Sequence, residues 1–170
     1  MSVSAIPEGY HSITPYLICI GADTAIEFYQ RAFAAEVRTR LDIPDGGIVH
    51  AELQIGNSVF IITNENKRMG YVSPQSLGHA GVIMMLYVDD VDTVFEQAIV
   101  AGAIQMKAVE NQFYGARTGT LQDPFGHTWI IATQKEQVPE AELKKRLIEY
   151  SKQQELEPLT KTMATHSMGD

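Results

Sequence analysis

GVIMMLYVDDVDTVFEQAIVAG, Gly81 to Gly102, decides how the chain is read. It opens with a β-rich apolar run. Val91, Val94, Phe95, Ala98 and Ile99 then recur at helical spacing. Asp89, Asp90 and Asp92 crowd the start of that helix, where its dipole favours anions. Gly102 stands where a glycine stop belongs. Three strand-like runs follow: AIQMKAV, ARTGTLQ and HTWIIAT, the last two joined by the turn Asp123-Pro124-Phe125-Gly126. The same order occurs earlier in the chain. ITPYLICI (Ile13–Ile20) leads into DTAIEFYQRAF (Asp23–Phe33), whose Ile26, Tyr29, Ala32 and Phe33 share a helical face and whose Thr24 and Glu27 fit a capping box. EVRTRLDI, IVHAELQI and SVFIIT complete that copy, separated by the turn Pro44–Gly47 and by Gly56-Asn57. The unit is strand, helix, strand, strand, strand, twice over. One such unit leaves a sheet face uncovered, so the expectation is an α+β fold with two βαβββ modules packed into a curved mixed β-sheet trough, plus a C-terminal helix.

This organisation divides the chain into a tail (1–11), a single domain (12–134) and a C-terminal helix (135–157), with a disordered tail at 158–170. Within the domain, module one covers 12–63, a polar linker 64–80 and module two 81–134. The helix is read from VPEAELKKRLIEYSKQQELE, with Leu143, Leu147 and Ile148 on one side, packing on the domain or on a partner. His166 falls in the final tail and carries little weight.

Composition limits the partners. Net charge is −8, which disfavours a nucleic-acid partner. No apolar run approaches the ~18 residues a membrane span needs, and no secretory leader is evident at the start. A single cysteine, Cys19, sits in an apolar run, so no intrachain disulfide forms and a reducing cytoplasm fits best. Cys19 reads as a small buried strand residue, with a nucleophilic role as the sharper alternative.

Five segments in order resemble the vicinal oxygen chelate superfamily of glyoxalases, bleomycin-resistance proteins and extradiol dioxygenases, in particular its PhnB-like branch: ITPYL, AIEFYQRAF, HAELQIG, LYVDDVD and FYGARTGTLQDPFGHTWIIAT. The resemblance covers roughly residues 12–134 and implies the paired-module fold. It also implies four metal-ligand positions, which fall near Thr14, at Glu52, at Ile83 and at Ile130. Only Glu52 can bind an ion, so the expectation is no metal and no cofactor. A displaced metal site would have to draw on His50, Glu52 and His127. The branch often carries an acid where this chain has Ala116, which removes a local partner for Arg117.

The candidate ligand-binding residues are His50, Glu52, Phe60, Tyr87, Tyr114, Arg117, His127 and Trp129. His50 and Glu52 lie two apart on a strand and face one way. Two readings stand for Trp129, the only tryptophan: core packing, or a trough wall that stacks on a ligand. Arg117 either pairs with a carboxylate such as Asp123 or faces a ligand anion. Asp123 is read as structural, bonding its own turn. Three functions follow in order. The first is a metal-free small-molecule binder that sequesters an antibiotic-like or planar anionic compound. The second is a glyoxalase-like lyase or isomerase, with His50 and Glu52 as catalytic groups or a displaced metal. The third is a scaffold whose trough is filled by its own side chains. A homodimer is expected, with modules swapped or unswapped between chains.

Overall fold

The computed structural model describes residues 4–44 and 46–153. The first module runs β1 (Tyr16–Cys19), α1 (Ala22–Phe33), β2 (Glu36–Asp42), β3 (Ile48–Ile55) and β4 (Ser58–Asn64). After a linker with a 3-10 turn (Lys67–Met69) and a short helix α2 (Pro74–Leu77), the second repeats it: β5 (Ile83–Tyr87), α3 (Val91–Ala101), β6 (Ile104–Asn111), β7 (Ala116–Gln122) and β8 (Thr128–Gln134). Helix α4 (Glu140–Gln153) closes the described chain. Each module forms a four-stranded sheet, ordered β1-β4-β3-β2 and β5-β8-β7-β6. The first strand of each pairs parallel to the last, because the helix carries the chain across; the remaining pairs are antiparallel. The α+β duplication read from the sequence is therefore the fold. Asp45, within the Pro44–Gly47 turn, and the segment 154–170, including His166, lie outside the described residues.

The helix starts show how alike the modules are. The amide of Ala22 donates to Asn64 Oδ1 at 2.8 Å, and that of Val91 to Thr133 Oγ1 at 2.9 Å. In each module a side chain near the end of the last strand caps the first helical amide, one of the orphan donors of a helix start. Asp90 then accepts from the amides of Asp92 and Thr93, as the acidic opening of α3 suggests. The Thr24/Glu27 capping box does not form. Helix α1 begins at Ala22 with Gly21 as its N-cap, and Thr24 Oγ1 donates back to the Gly21 carbonyl at 2.8 Å.

Helix α1 is buried on more than one side: Ala22, Ala25, Ile26, Phe28, Tyr29, Ala32 and Phe33 are all covered. It packs on its own sheet and also against α3, so one core runs through both modules. Phe33 and Phe60 of module one approach Trp129 of module two, with ring centroids 5.0 and 6.3 Å apart. Each fully buried aromatic of this kind contributes about 1.5–3 kcal/mol. Gly119 lets α3 sit close on β7: a Cβ there would lie 2.7 Å from the Phe95 ring. Because the helices lie on the shared-core side of both sheets, the opposite sheet faces remain open. Helix α4 is tied back by Phe113 against Tyr150 (5.0 Å between centroids) and by Arg146 pairing with Glu136, while Arg146 also bridges to Glu142 within the helix. Its Leu147 and Ile148 are exposed. No helix among the described residues is long and apolar enough to cross a membrane.

Candidate functional site

Strand alternation assigns the first wall. Along β3, Ala51, Leu53 and Ile55 are buried toward α1, and His50, Glu52 and Gln54 are half-buried on the open face. Glu52 stands in register with Thr39 and Ile61, and Ile61 with Tyr16, so these residues share that face. His50 Nε2 lies 3.2 Å from Glu52 Oε1. The Tyr16 ring is 6.4 Å from the His50 ring and 6.0 Å from Tyr71, which arrives from the linker. The Tyr10 hydroxyl, from the N-terminal segment, approaches Glu52 closely enough to act on its carboxyl. Partial burial pushes the Glu52 carboxyl upward, but hydrogen bonds from Tyr10, His50 and Thr39 outweigh it and hold the group below the ordinary glutamate range. Burial and the bond to Glu52 raise Tyr10 in turn. The guanidinium of Arg38 lies 5.3 Å from the centre of the Tyr10 ring. Neither Tyr10 nor Tyr71 was among the sequence candidates. One sits in what reads as a tail and the other in a linker, where no periodicity gives a face.

A second feature is a cavity of about 590 Å³ between the β3–β4 turn and strand β5. Ile13, Leu17, Phe60, Ile83, Tyr87 and Trp129 are among its lining. Three sequence candidates, Phe60, Tyr87 and Trp129, thus come together, though not as an exposed wall. Phe60 and Trp129 are each 5% exposed and belong to the core, meeting the cavity only at its floor. Tyr87, by contrast, is 60% exposed.

The remaining candidates go elsewhere. Arg117 shares the β7 face that α3 covers and grips Asp92 at the start of that helix, Nε to Oδ2 at 2.8 Å and the terminal nitrogen to Oδ1 at 2.6 Å. It pairs neither with Asp123 nor with an open cavity, so its expected place on the ligand wall is corrected. Tyr114 lines a shallow recess with Gln134, Gln137, Val138 and Pro139 beside the C-terminal segment. His127 is buried and borders a smaller cavity of about 280 Å³ under α2, with its Nε2 3.7 Å from Cys19 Sγ. Burial lowers the His127 pKa and drives the Cys19 thiol up, so the thiol stays protonated and the bland reading of Cys19 holds.

Asp123 organises this interior. Its Oδ1 accepts from the amides of Phe125 and His127, each at 2.9 Å, which closes the turn. Its Oδ2 accepts from the Tyr29 hydroxyl at 2.5 Å and from Trp129 Nε1 at 2.9 Å. A turn residue of module two thereby bonds a helix of module one.

The superfamily's metal does not fit this donor set. Thr14, Ile83 and Ile130 offer no suitable ligand beside Glu52. Among the described residues no three of His, Cys, Asp and Glu converge, and His127 does not join His50 and Glu52.

Duplicated βαβββ modules, each with its helix against one sheet face and the other face open, define the glyoxalase/bleomycin-resistance/dioxygenase class. The chain belongs to that class, the vicinal oxygen chelate superfamily. The family profile of the glyoxalase At5g48480-like C-terminal domain matches residues 83–132. An uncharacterized protein of Mycobacterium tuberculosis is 37% identical over 123 residues, which is 71% of this chain and 72% of that protein. Among solved structures, TioX from Micromonospora sp. ML1 superposes with a TM-score of 0.60 at 23% identity, over 73% of this chain and 98% of its own. The PhnB protein of Bacillus cereus does so at 0.57 and 19% identity, over 72% and 99%.

Proposed function

We propose that this protein binds an apolar small molecule in the 590 Å³ cavity and carries out no chemistry on it. The composition of the cavity lining carries the reading. Phe60 and Trp129 form a rigid aromatic floor, aliphatic side chains form the sides, and His11 is the one titratable side chain besides Tyr87. The volume falls in the range of drug-sized ligand sites, about 300–1,000 Å³. With Arg117 committed to Asp92, no arginine or lysine lines this cavity to favour an anion. The neutral fluorescent probe N-phenyl-1-naphthylamine should bind saturably, about one per chain, and quench Trp129 emission. Val82→Arg, at a lining position 70% exposed and outside the strands, should abolish that binding without disturbing the core. Absence of saturable binding at high micromolar probe would overturn the reading.

The working form is a dimer. Strand β5 is a sheet edge that exposes Ile83, Met85 and Tyr87, an apolar row that a second copy of the chain covers. Light scattering should give twice the chain mass, and Met85→Lys should halve it. A wild-type monomer at tens of micromolar would reject this. The single buried thiol suits a reducing cytoplasm.

A further inference from the structure

We infer that the 280 Å³ cavity under α2 is a second ligand site, which takes a small uncharged aromatic compound with one N–H donor, of the indole class, against His127. The frame comes first. The linker roofs this space and is fixed at both ends. Ser73 is fully buried, and its amide and hydroxyl both donate to Glu65 Oε2 at 2.9 Å, just past the end of β4. Gln75 Nε2 donates to the Pro124 carbonyl at 3.0 Å, in the turn between β7 and β8. Gly126 permits that approach: a Cβ there would lie 3.1 Å from Pro74 Cβ. Both modules therefore hold the roof up, and a ligand entering a preformed space meets a smaller ordering cost.

Size and lining set the ligand class. A cavity of about 150 Å³ holds benzene, so 280 Å³ leaves space for one ring or two fused rings. Leu17, Val72, Leu77 and Met84 make the lining largely apolar. Among the described residues no Asp, Glu, Lys or Arg borders it, so a charged ligand finds no counter-ion. His127 is the buried polar group, 7% exposed. Burial lowers its pKa, which keeps the imidazole neutral at pH 7. A neutral ring has one donor nitrogen and one acceptor nitrogen. The side chain beside Nε2 is the Cys19 thiol, at 3.7 Å, and a thiol is a weak partner. An N–H from the ligand supplies the stronger donor that the acceptor nitrogen lacks. This space shares Leu17, Val82 and Met84 with the 590 Å³ cavity, but Leu77 and His127 border it alone.

The test titrates the full-length protein with 5-fluoroindole, followed by fluorine magnetic resonance, in the presence of N-phenyl-1-naphthylamine to occupy the larger cavity. Binding should be saturable. 5-Fluoro-1-methylindole, which lacks the donor, should bind about tenfold more weakly, the scale of one lost hydrogen bond. 5-Fluoroindole-2-carboxylate should not bind. Leu77→Trp, at a roof position 54% exposed, should crowd out 5-fluoroindole and leave N-phenyl-1-naphthylamine binding as in the parent. His127→Phe should bring the two neutral indoles to equal affinity. If that buried variant does not fold, the methylated ligand still removes the same hydrogen bond without touching the protein. No saturable binding of 5-fluoroindole by about 5 mM, equal affinity for the methylated indole or the carboxylate in the parent, or unchanged affinity in Leu77→Trp would each overturn the assignment. The indoles read the cavity under α2 and the larger probe reads the 590 Å³ cavity, so failure of one proposal is distinguishable from failure of the other.

Discussion

Replacing Asp123 with alanine should be among the most damaging single changes in the chain. The carboxylate is 2% exposed and receives four donors: the Tyr29 hydroxyl, Trp129 Nε1 and the amides of Phe125 and His127. A hydrogen bond to a charged acceptor contributes about 1.5–3 kcal/mol, so a simple sum would exceed the stability of most domains. That sum overshoots, because the variant also escapes the desolvation of the carboxylate and the turn amides can relax toward water. The net expectation is a loss of about 3–5 kcal/mol, the scale for breaking a buried charged group from its partners. Asparagine separates the contributions. It keeps one acceptor for the turn amides and places an NH₂ opposite Tyr29 and Trp129. The tyrosine hydroxyl can rotate to accept, but the indole N–H cannot, so one buried donor stays unsatisfied at a cost of about 1–3 kcal/mol. Tyr29→Phe should cost about 1–1.5 kcal/mol alone. Combined with Asp123→Asn it should be non-additive by about 0.5 kcal/mol or more, since the two residues share one network. Urea unfolding at pH 7, followed by Trp129 emission and by far-ultraviolet circular dichroism, measures all of these. If Asp123→Ala unfolds with a loss under about 1 kcal/mol and an unchanged denaturant slope, the network does not hold the modules together and the reasoning is wrong.

Two further predictions concern charged groups nearer the surface. Arg117→Ala should lower the melting temperature slightly through Asp92 and leave probe binding in the cavity intact; a loss of binding with unchanged stability would return Arg117 to the ligand wall. Glu65 is bonded by Ser76 and Ser73, which take its carboxyl down to about 2, so its contribution is present above the ordinary glutamate value of 4.5 and is lost as pH falls through about 2. Acid titration of stability should therefore be less steep between pH 4.5 and 2 in Glu65→Gln than in the parent, and identical curves would deny the linkage.

Much of the fold was legible because periodicity and turn chemistry are local. The two βαβββ orders, the acidic start of α3 and the Asp123 turn all follow from residues within a few positions of each other. Alternation also placed Trp129 and His127 on one face, and His50 and Glu52 on one face, correctly. It could not say which face a partner element would cover. Trp129 went inside because α1 of the other module, through Phe33 and Tyr29, packs over it. Arg117 found Asp92 rather than a neighbour in sequence, because both sit where α3 crosses β7. Tyr10 and Tyr71 were unreadable for a related reason. Each lies in a segment without regular period, and only the docking of that segment on the sheet gives it a direction.

The bond from Tyr29 to Asp123 spans 94 positions and links what the sequence presents as separate repeats. The repeat unit and the cooperative unit therefore do not coincide. Neither half, cut within the linker, would keep its aromatic interior dry, since each presents to the other the surface that completes it. Two such fragments mixed together should instead reconstitute the native spectrum.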